Sequence, residues 1–142
     1  MRKINKIIIH CTATPASQVV LLEDIRRWHL ARGFSDIGYH FIVHQDGLVN
    51  YGRPLLRVGA HCKGLNKHSI GICYVGGLDE NGKPADTRTP SQKSSLVDLV
   101  SYLLDLFPCA TIHGHNEFAN KACPCFDIDE LRKEVFKNGK KD

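Results

Sequence analysis

"KIIIHCT", residues 6–12, places three isoleucines in a row between a lysine and a histidine. A short apolar run of β-branched residues is typical of a β-strand that is buried on both faces. In α/β folds, the side chains at the end of such a strand often meet a cleft. We therefore expect a buried strand that ends on His10, and a cleft close to that end.

Helical and extended patterns alternate along the rest of the chain. Residues 18–32 carry apolar residues at helical spacing and are followed by Gly33, which predicts an amphipathic helix. Residues 38–52 hold two β-rich runs separated by Asp46-Gly47, which predicts a β-hairpin. The other predicted elements are strands over 69–77 and 109–113, a polar loop over 78–88, a helix opened by Thr89-Pro90 with a capping box to Gln92, and a terminal helix over 127–137. This order predicts an α/β fold: one domain with a mixed central β-sheet flanked by helices.

Composition and charge fit a single globular domain of 142 residues with 42% hydrophobic and 24% charged residues. The net charge of +4 suits contact with an anionic polymer, but the basic residues are scattered and form no stripe, so we expect no nucleic-acid partner. No apolar run is long enough for a signal peptide or a membrane span. We therefore expect a monomer, made in the cytoplasm, that reaches other compartments only after release, with residues 138–142 as a flexible tail.

The cysteines of the chain number six. In a chain without a leader peptide, they are expected to be reduced thiols rather than a disulfide framework. Cys73 and Cys109 lie inside apolar runs, so we expect both to fill the core as small hydrophobic residues.

"HGHNEFANKACPCF", residues 113–126, brings two histidines and two cysteines close together in sequence. Two imidazoles and one thiolate would make a hydrolytic zinc site, because three protein ligands leave a fourth position for water or substrate. His113 and His115 would share a face if the preceding strand continued. Spacing alone does not choose between such a site, a disulfide and ordinary buried residues.

Four blocks occur in an order that resembles a known family. They are "IIIHCTAT" (7–14), "GYHFIVHQDG" (38–47), "GAHCKGLNKHSIGICYVGG" (59–77) and "GHNEFANKACPCFD" (114–127). Together they resemble the type 2 N-acetylmuramoyl-L-alanine amidases, above all the amidase-type lysozymes of T-odd phages, with peptidoglycan recognition proteins as more distant relatives. The resemblance spans about residues 6–127.

The resemblance implies a zinc enzyme that hydrolyses the amide bond between N-acetylmuramic acid and L-alanine of peptidoglycan or muropeptides. It implies that His10, His115 and Cys123 bind Zn²⁺, and that Tyr39 and Lys121 assist catalysis. An ammonium group near the metal could stabilise the oxyanion, and a tyrosine hydroxyl could hydrogen-bond the attacking water or pass a proton to the leaving amine.

His61 and Asn66 resemble positions that line the substrate groove of the family, although both could instead organise a loop. The remaining histidines are expected to have structural or surface roles, with His29 covering the helix face beside Trp28. His113 and Cys125 receive no role from the resemblance.

Two other functions remain open at this stage. One is a zinc-free module that recognises muropeptides without cutting them, although the relatives of that kind typically lack the thiolate that Cys123 supplies. The other is a cytosolic amidase that recycles soluble muropeptides, whereas a phage or prophage endolysin would act on the polymeric wall after release.

Overall fold

The chain alternates strands and helices, as its sequence pattern predicts. The computed structural model describes residues 2–137, so the predicted tail at 138–142 lies outside the described residues. In chain order the elements are β1 (Lys6–Cys11), β2 (Thr14–Pro15), α1 (Leu22–Ala31), β3 (Phe41–Val43), β4 (Val49–Tyr51), β5 (Ser69–Tyr74), β6 (Gly77–Leu78), α2 (Pro90–Leu106), β7 (Thr111–Gly114) and α3 (Ile128–Lys137). Short 3₁₀ turns cover Asn66–His68 and His115–Glu117.

Five of the strands form one mixed sheet in the order β4-β3-β5-β1-β7. Strand β1 runs parallel to β5 on one side and to β7 on the other, and the hairpin strand β4 alone is antiparallel to its neighbour β3. The carboxyl ends of β1, β5 and β7 therefore meet at one edge of the sheet, which is where clefts form in α/β folds.

Helices cover both faces of the sheet. Ile7 and Ile9 belong to the core cluster that α2 and α3 close, whereas Cys73 belongs to a second cluster with residues of α1. Because side chains alternate along a strand, His10 points to the α1 face and Cys11 to the α2 and α3 face. Each fully buried isoleucine contributes about 1.5–3 kcal/mol to the free energy of folding. The residues of β1 therefore stabilise the sheet and also hold His10 in place.

The start of α2 confirms the predicted capping box. The backbone N–H of Gln92 donates to the Thr89 hydroxyl at 3.1 Å, and the Gln92 side chain accepts from the Thr89 N–H at 3.0 Å. A cap of this kind contributes about 1 kcal/mol. The side-chain amide of Gln92 also donates to the carbonyl of Val75 at 2.9 Å, which ties the helix to the end of β5.

Two expectations about individual side chains, one on α1 and one at Cys109, were not met. Trp28 is 37% exposed, whereas His29 is buried on α1 together with Ile25 and accepts the Gly38 N–H at 2.8 Å on Nδ1. Cys109 is exposed, because it lies in the turn before β7 rather than in the strand, whereas Cys73 is buried as expected.

The short pair β2 and β6 was not predicted, and β6 extends into the region expected to be loop. Gly76 and Gly77 adopt φ angles of +141° and +105°, which L-residues with a side chain rarely adopt, and so the chain leaves the main sheet at this glycine pair. Within residues 2–137, no helix is long and apolar enough to cross a membrane.

Candidate metal centre and cleft

His10 and His115 lie side by side at the carboxyl edge of the sheet. Ile9 of β1 is in register with Gly114 of β7, and the two histidines are the next residues of each chain segment. Their Nδ1 atoms are 3.2 Å apart. Two nitrogens bound at 2.0–2.1 Å to one tetrahedral Zn²⁺ would be roughly 3.3 Å apart, so this spacing fits a shared ion.

Strand β7 ends at Gly114, so the expected shared face of His113 and His115 is not formed. The 3₁₀ turn that follows carries His115 towards β1, while His113 contacts Glu117 with Nδ1 at 3.2 Å. Glu117 also accepts the Gly114 N–H at 3.0 Å and an Arg132 N–H at 2.8 Å. These contacts hold the turn that presents His115.

Cys123 completes the group from the loop between β7 and α3. Its Sγ lies with the two histidine nitrogens in a group of ligand atoms within 4.8 Å of one another, and it accepts the backbone N–H of Cys11 at 3.2 Å. The loop is anchored at the next residue, because the buried Tyr74 hydroxyl donates to the Pro124 carbonyl at 2.6 Å.

The chemistry of these donors suits a divalent ion of intermediate softness. Burial lowers the pKa of His10 well below its usual range, helped by the nearby His61 and His115, and burial also lowers the pKa of His115. Both imidazoles are therefore neutral at physiological pH, as metal ligands must be. Neutral imidazoles and a thiolate are typical Zn²⁺ donors, and three of them leave room for water or substrate.

The Cys125 thiol contacts Cys11 rather than the two histidines. Its Sγ is 3.7 Å from the Sγ of Cys11, which packs in the α2 and α3 core. Burial, together with Cys11, raises the pKa of the Cys125 thiol to about 12. Among the described residues, the group of ligand atoms within 4.8 Å of one another consists of His10, His115 and Cys123 and does not include Cys125.

All seven candidate site residues line one cleft of about 610 Å³. They are His10, Tyr39, His61, Asn66, His115, Lys121 and Cys123. The cleft opens at the carboxyl edge of the parallel strands, where the sequence of β1 led us to expect it.

Tyr39 lies beside the first histidine, with 5.1 Å between the ring centroids of Tyr39 and His10. Burial raises the pKa of the Tyr39 hydroxyl well above its usual value, and the nearby Cys73 thiol raises it further. The hydroxyl is therefore protonated and can donate a hydrogen bond or a proton.

Lys121 is exposed at the rim of the cleft, two residues before Cys123. Its positive charge contributes, after burial, to the lowered pKa values of His10 and His115. An ammonium group in this position can act electrostatically on anything held between the two histidines.

His61 and Asn66 interact with the protein as well as facing the cleft. Asn66 Oδ1 accepts the backbone N–H groups of His61 and Cys62 at 2.8 and 2.9 Å, so it organises the loop. His61 Nδ1 is 2.8 Å from His10 Nε2, and burial lowers the pKa of His61 to about 3. His40, expected to be structural, is buried and accepts the Gly71 N–H at 3.0 Å.

Several lining residues were missed by the sequence analysis. Arg32 and Lys63 add positive charge to the cleft, and Phe34 and Phe118 add aromatic surface. Lys63 lies inside a block that was recognised, "GAHCKG", and could have been singled out as the cation next to His61. Arg32 and Phe34 carried no signal, because they follow a helix whose end faces the cleft only in three dimensions.

The family model described as N-acetylmuramoyl-L-alanine amidase matches residues 1–126. The endolysin of Escherichia phage T7 is 48% identical over 124 residues, which cover 87% of this chain and 82% of the relative. A peptidoglycan-recognition protein of Drosophila melanogaster is 30% identical over 139 residues, covering 94% of this chain and 75% of that protein.

Among solved structures, the N-acetylmuramoyl-L-alanine amidase LysC from Clostridium intestinale superposes with a TM-score of 0.84 at 30% identity, covering 94% of this chain and 86% of that chain. The expected fold class, a mixed sheet flanked by helices, is thereby confirmed, as is the resemblance on which the site residues were assigned.

Proposed function

Because the chain belongs to the N-acetylmuramoyl-L-alanine amidase family and is an amide hydrolase, we propose that it is a zinc-dependent endolysin. In this proposal it hydrolyses the amide bond between N-acetylmuramic acid and the L-alanine of the stem peptide in polymeric peptidoglycan. The amidase activity follows from the family, and the similarity to a phage endolysin along most of both chains supports action on the cell wall.

The observation that carries the proposal is the convergence of five side chains from distant parts of the sequence. His10, His115 and Cys123 bring their ligand atoms within 4.8 Å of one another, and Tyr39 and Lys121 line the same cleft. Among the described residues, this is the one group of histidines, cysteines and carboxylates with the spacing of a metal site.

His10, His115 and Cys123 would hold the Zn²⁺. When bound there, zinc would supply a Lewis acid for the scissile carbonyl and would lower the pKa of water towards ~7. The protein prepares this site by keeping both imidazoles neutral and by donating the Cys11 N–H to the thiolate at 3.2 Å. A hydrogen bond to a ligand sulfur from the backbone holds the side chain in place.

Lys121 and Tyr39 would serve the two charge changes of amide hydrolysis. As the carbonyl carbon becomes tetrahedral, its oxygen gains negative charge, and the Lys121 ammonium would stabilise it, an effect worth ~10²–10³-fold in rate. The leaving nitrogen needs a proton, and the protonated Tyr39 hydroxyl could donate one or orient the water, worth ~10²–10⁴-fold.

The walls of the cleft suit a peptidoglycan strand. Arg32 and Lys63 offer positive charge for the carboxylates of a stem peptide, and Phe34 and Phe118 offer apolar surface for sugar rings. The net charge of +4 favours approach to an anionic polymer.

The test is to incubate the purified protein with peptidoglycan sacculi, with and without a metal chelator, and to measure new amino termini. We expect L-alanine amino termini to appear without chelator, to be lost with chelator, and to return when Zn²⁺ is added. Release that resists the chelator would contradict the zinc mechanism.

A parallel incubation with soluble muropeptides separates the two amidase functions. Faster release from sacculi than from muropeptides supports the endolysin, and the reverse result would favour a recycling amidase. Binding to sacculi without release from either substrate would favour a recognition module. The Lys121→Met variant serves as the control for contaminating hydrolases, because its preparation should release far fewer L-alanine termini.

A further inference from the structure

We propose that His61 is a positioning residue that fixes the tautomer of His10, so that the Nδ1 lone pair of His10 faces the cleft. The inference deepens the proposed function, since the lone pair serves zinc binding, but the tautomer itself exists without any metal. It assigns His61 a role different from the two that the resemblance left open, a substrate contact and the organisation of a loop.

The hydrogen-bond chain behind His10 has a defined direction. It starts at Leu65, whose carbonyl oxygen carries no proton and can only accept. The Ser69 hydroxyl lies 2.7 Å from this oxygen and therefore donates its single proton to it. Ser69 is fully buried, so no solvent competes for that proton.

The next link follows from the first. Ser69 Oγ is 3.2 Å from His61 Nε2, and because the hydroxyl proton is already used, Oγ can only accept there. His61 Nε2 must therefore carry a proton. In a neutral imidazole with a proton on Nε2, the other nitrogen, Nδ1, is an acceptor.

The last link sets the ligand. His61 Nδ1 is 2.8 Å from His10 Nε2, and since Nδ1 accepts, His10 Nε2 must donate. His10 is then neutral with its lone pair on Nδ1, the atom 3.2 Å from His115 Nδ1. Metal-binding histidines usually donate their second ring N–H in this way, commonly to a carboxylate or a backbone carbonyl, and here the acceptor is a second imidazole.

The position of the His61 ring is fixed by its surroundings. A Cβ on Gly71 would lie 2.5 Å from His61 Cγ, so the ring occupies the space that a side chain on β5 would fill. On the other side, the backbone N–H of His61 is held by Asn66 Oδ1 at 2.8 Å. Both ring nitrogens of His61 are engaged inside the protein, Nδ1 with His10 and Nε2 with Ser69.

The test compares two replacements of His61 with opposite predictions. In His61→Asn, the amide oxygen can accept at the place of Nδ1, whereas in His61→Phe the ring fills the space without an acceptor. Ser69→Ala removes the far end of the chain without touching a ligand. The matched control is His68→Phe, since His68 is exposed and its ring hydrogen-bonds the Lys3 carbonyl at 3.0 Å, away from the cleft residues.

The first measurement is ¹⁵N NMR of the histidine side chains in the metal-free full-length protein. In the wild type and in His61→Asn we expect His10 to be protonated on Nε2, and in His61→Phe we expect a mixture of tautomers. In Ser69→Ala, His61 loses its preference for one nitrogen, so the His10 signal should shift towards that mixture. Protonation of wild-type His10 on Nδ1 would overturn the inference, as would an unchanged tautomer in His61→Phe.

The second measurement is the Zn²⁺ dissociation constant by competition with a chelating dye. Loss of such an outer partner typically weakens metal binding ~10–100-fold, so we expect a weakening of this size in His61→Phe and less than about threefold in His61→Asn and His68→Phe. If His61→Phe keeps its zinc affinity and only the KM for sacculi rises, His61 is a substrate contact and the inference is wrong.

The two proposals can fail separately. If the wild-type protein binds no zinc but its tautomer changes as described, the zinc mechanism fails while the hydrogen-bond chain stands. If zinc binds and cleavage depends on it while the tautomer is insensitive to His61, the zinc mechanism stands and the positioning role fails. Should His61→Phe not fold, the contrast between Ser69→Ala and the wild type tests the tautomer in its place, and an unchanged His10 signal there would overturn the inference.

Discussion

Replacing Cys123 with serine should remove most of the zinc affinity, whereas the same replacement of Cys125 should leave it intact. The two cysteines are separated only by Pro124, yet their thiols have different neighbours. Cys123 Sγ belongs to the group of ligand atoms within 4.8 Å of one another, and Cys125 Sγ contacts Cys11 at 3.7 Å. Each variant therefore serves as the matched control of the other.

The expected loss of zinc affinity can be converted into a difference in how much zinc stabilises each protein against unfolding. A lost outer partner alone weakens zinc binding ~10–100-fold, so loss of a direct ligand should weaken it by at least about 100-fold. At free zinc 1,000 times the wild-type Kd, the metal stabilises the wild type by about 4.1 kcal/mol, and a variant with 100-fold weaker binding by about 1.4 kcal/mol. At about 3 °C per kcal/mol for a chain of this length, zinc should raise Tm by ~12 °C in the wild type and by ~4 °C in Cys123→Ser.

The assay is thermal unfolding of each variant with and without zinc, so that each protein is its own reference. Any direct effect of the substitution on the fold cancels in the difference. Cys125→Ser should show the full wild-type increase. A full increase in Cys123→Ser, or its loss in Cys125→Ser, would refute the assignment of the third ligand.

Three further predictions concern the surroundings of the site. Lys121→Met should lower kcat on sacculi ~10²–10³-fold and leave the zinc affinity unchanged within about threefold, because the ammonium acts on the developing oxyanion rather than on the metal. Equal losses of kcat and of zinc affinity would contradict this role. Glu117→Gln should lower the free energy of unfolding by about 1 kcal/mol at pH 7. Burial raises the pKa of the Glu117 carboxyl, but its hydrogen bonds and the charge of Arg132 outweigh the effect of burial, so the net pKa is lowered. Since a lowered pKa stabilises the fold above the ordinary carboxyl pKa of about 4.3, the difference between wild type and variant should shrink as pH falls through the lowered value, which urea titrations at several pH values would measure. Tyr74→Phe leaves the buried Pro124 carbonyl without its hydroxyl donor and should cost about 1–3 kcal/mol in the metal-free protein, together with weaker zinc binding; unchanged urea midpoints would show that the loop is held by other contacts.

Much of the fold could be predicted from local pattern. The isoleucines of β1, the Asp46-Gly47 turn and the capping box at Thr89 each have a local physical cause, and the structure contains all three. The short pair β2 and β6 could not be predicted, because two residues carry too little pattern to mark a strand. Cys109 was misplaced because an apolar run does not reveal where a turn ends and a strand begins.

The candidate site divides in the same way. That His10 would lie near the end of a buried strand, close to a cleft, follows from residues 6–12 alone, although β1 continues one residue further to Cys11. The choice of His115 over His113, and of Cys123 over Cys125, came from the family resemblance, because it depends on where β7 ends and on which thiol approaches the two histidines. The link from His10 to His61 and Ser69 joins residues far apart in the chain, and only the three-dimensional contacts reveal it.

The parallel pairing of β1 with β7 also has a consequence for how the protein is assembled. His10 and His115 are 105 residues apart in sequence, and Cys123 comes later still, so the metal group cannot exist until the first and last strands of the sheet have found each other. Closing so long a segment of chain carries an entropic cost that must be met before the contact exists. A nascent chain still shorter than 123 residues therefore lacks the complete site, and zinc bound there would stabilise only the state in which β1 and β7 are already paired. Zinc uptake during refolding should accordingly follow the formation of helices, because the three ligands come together last.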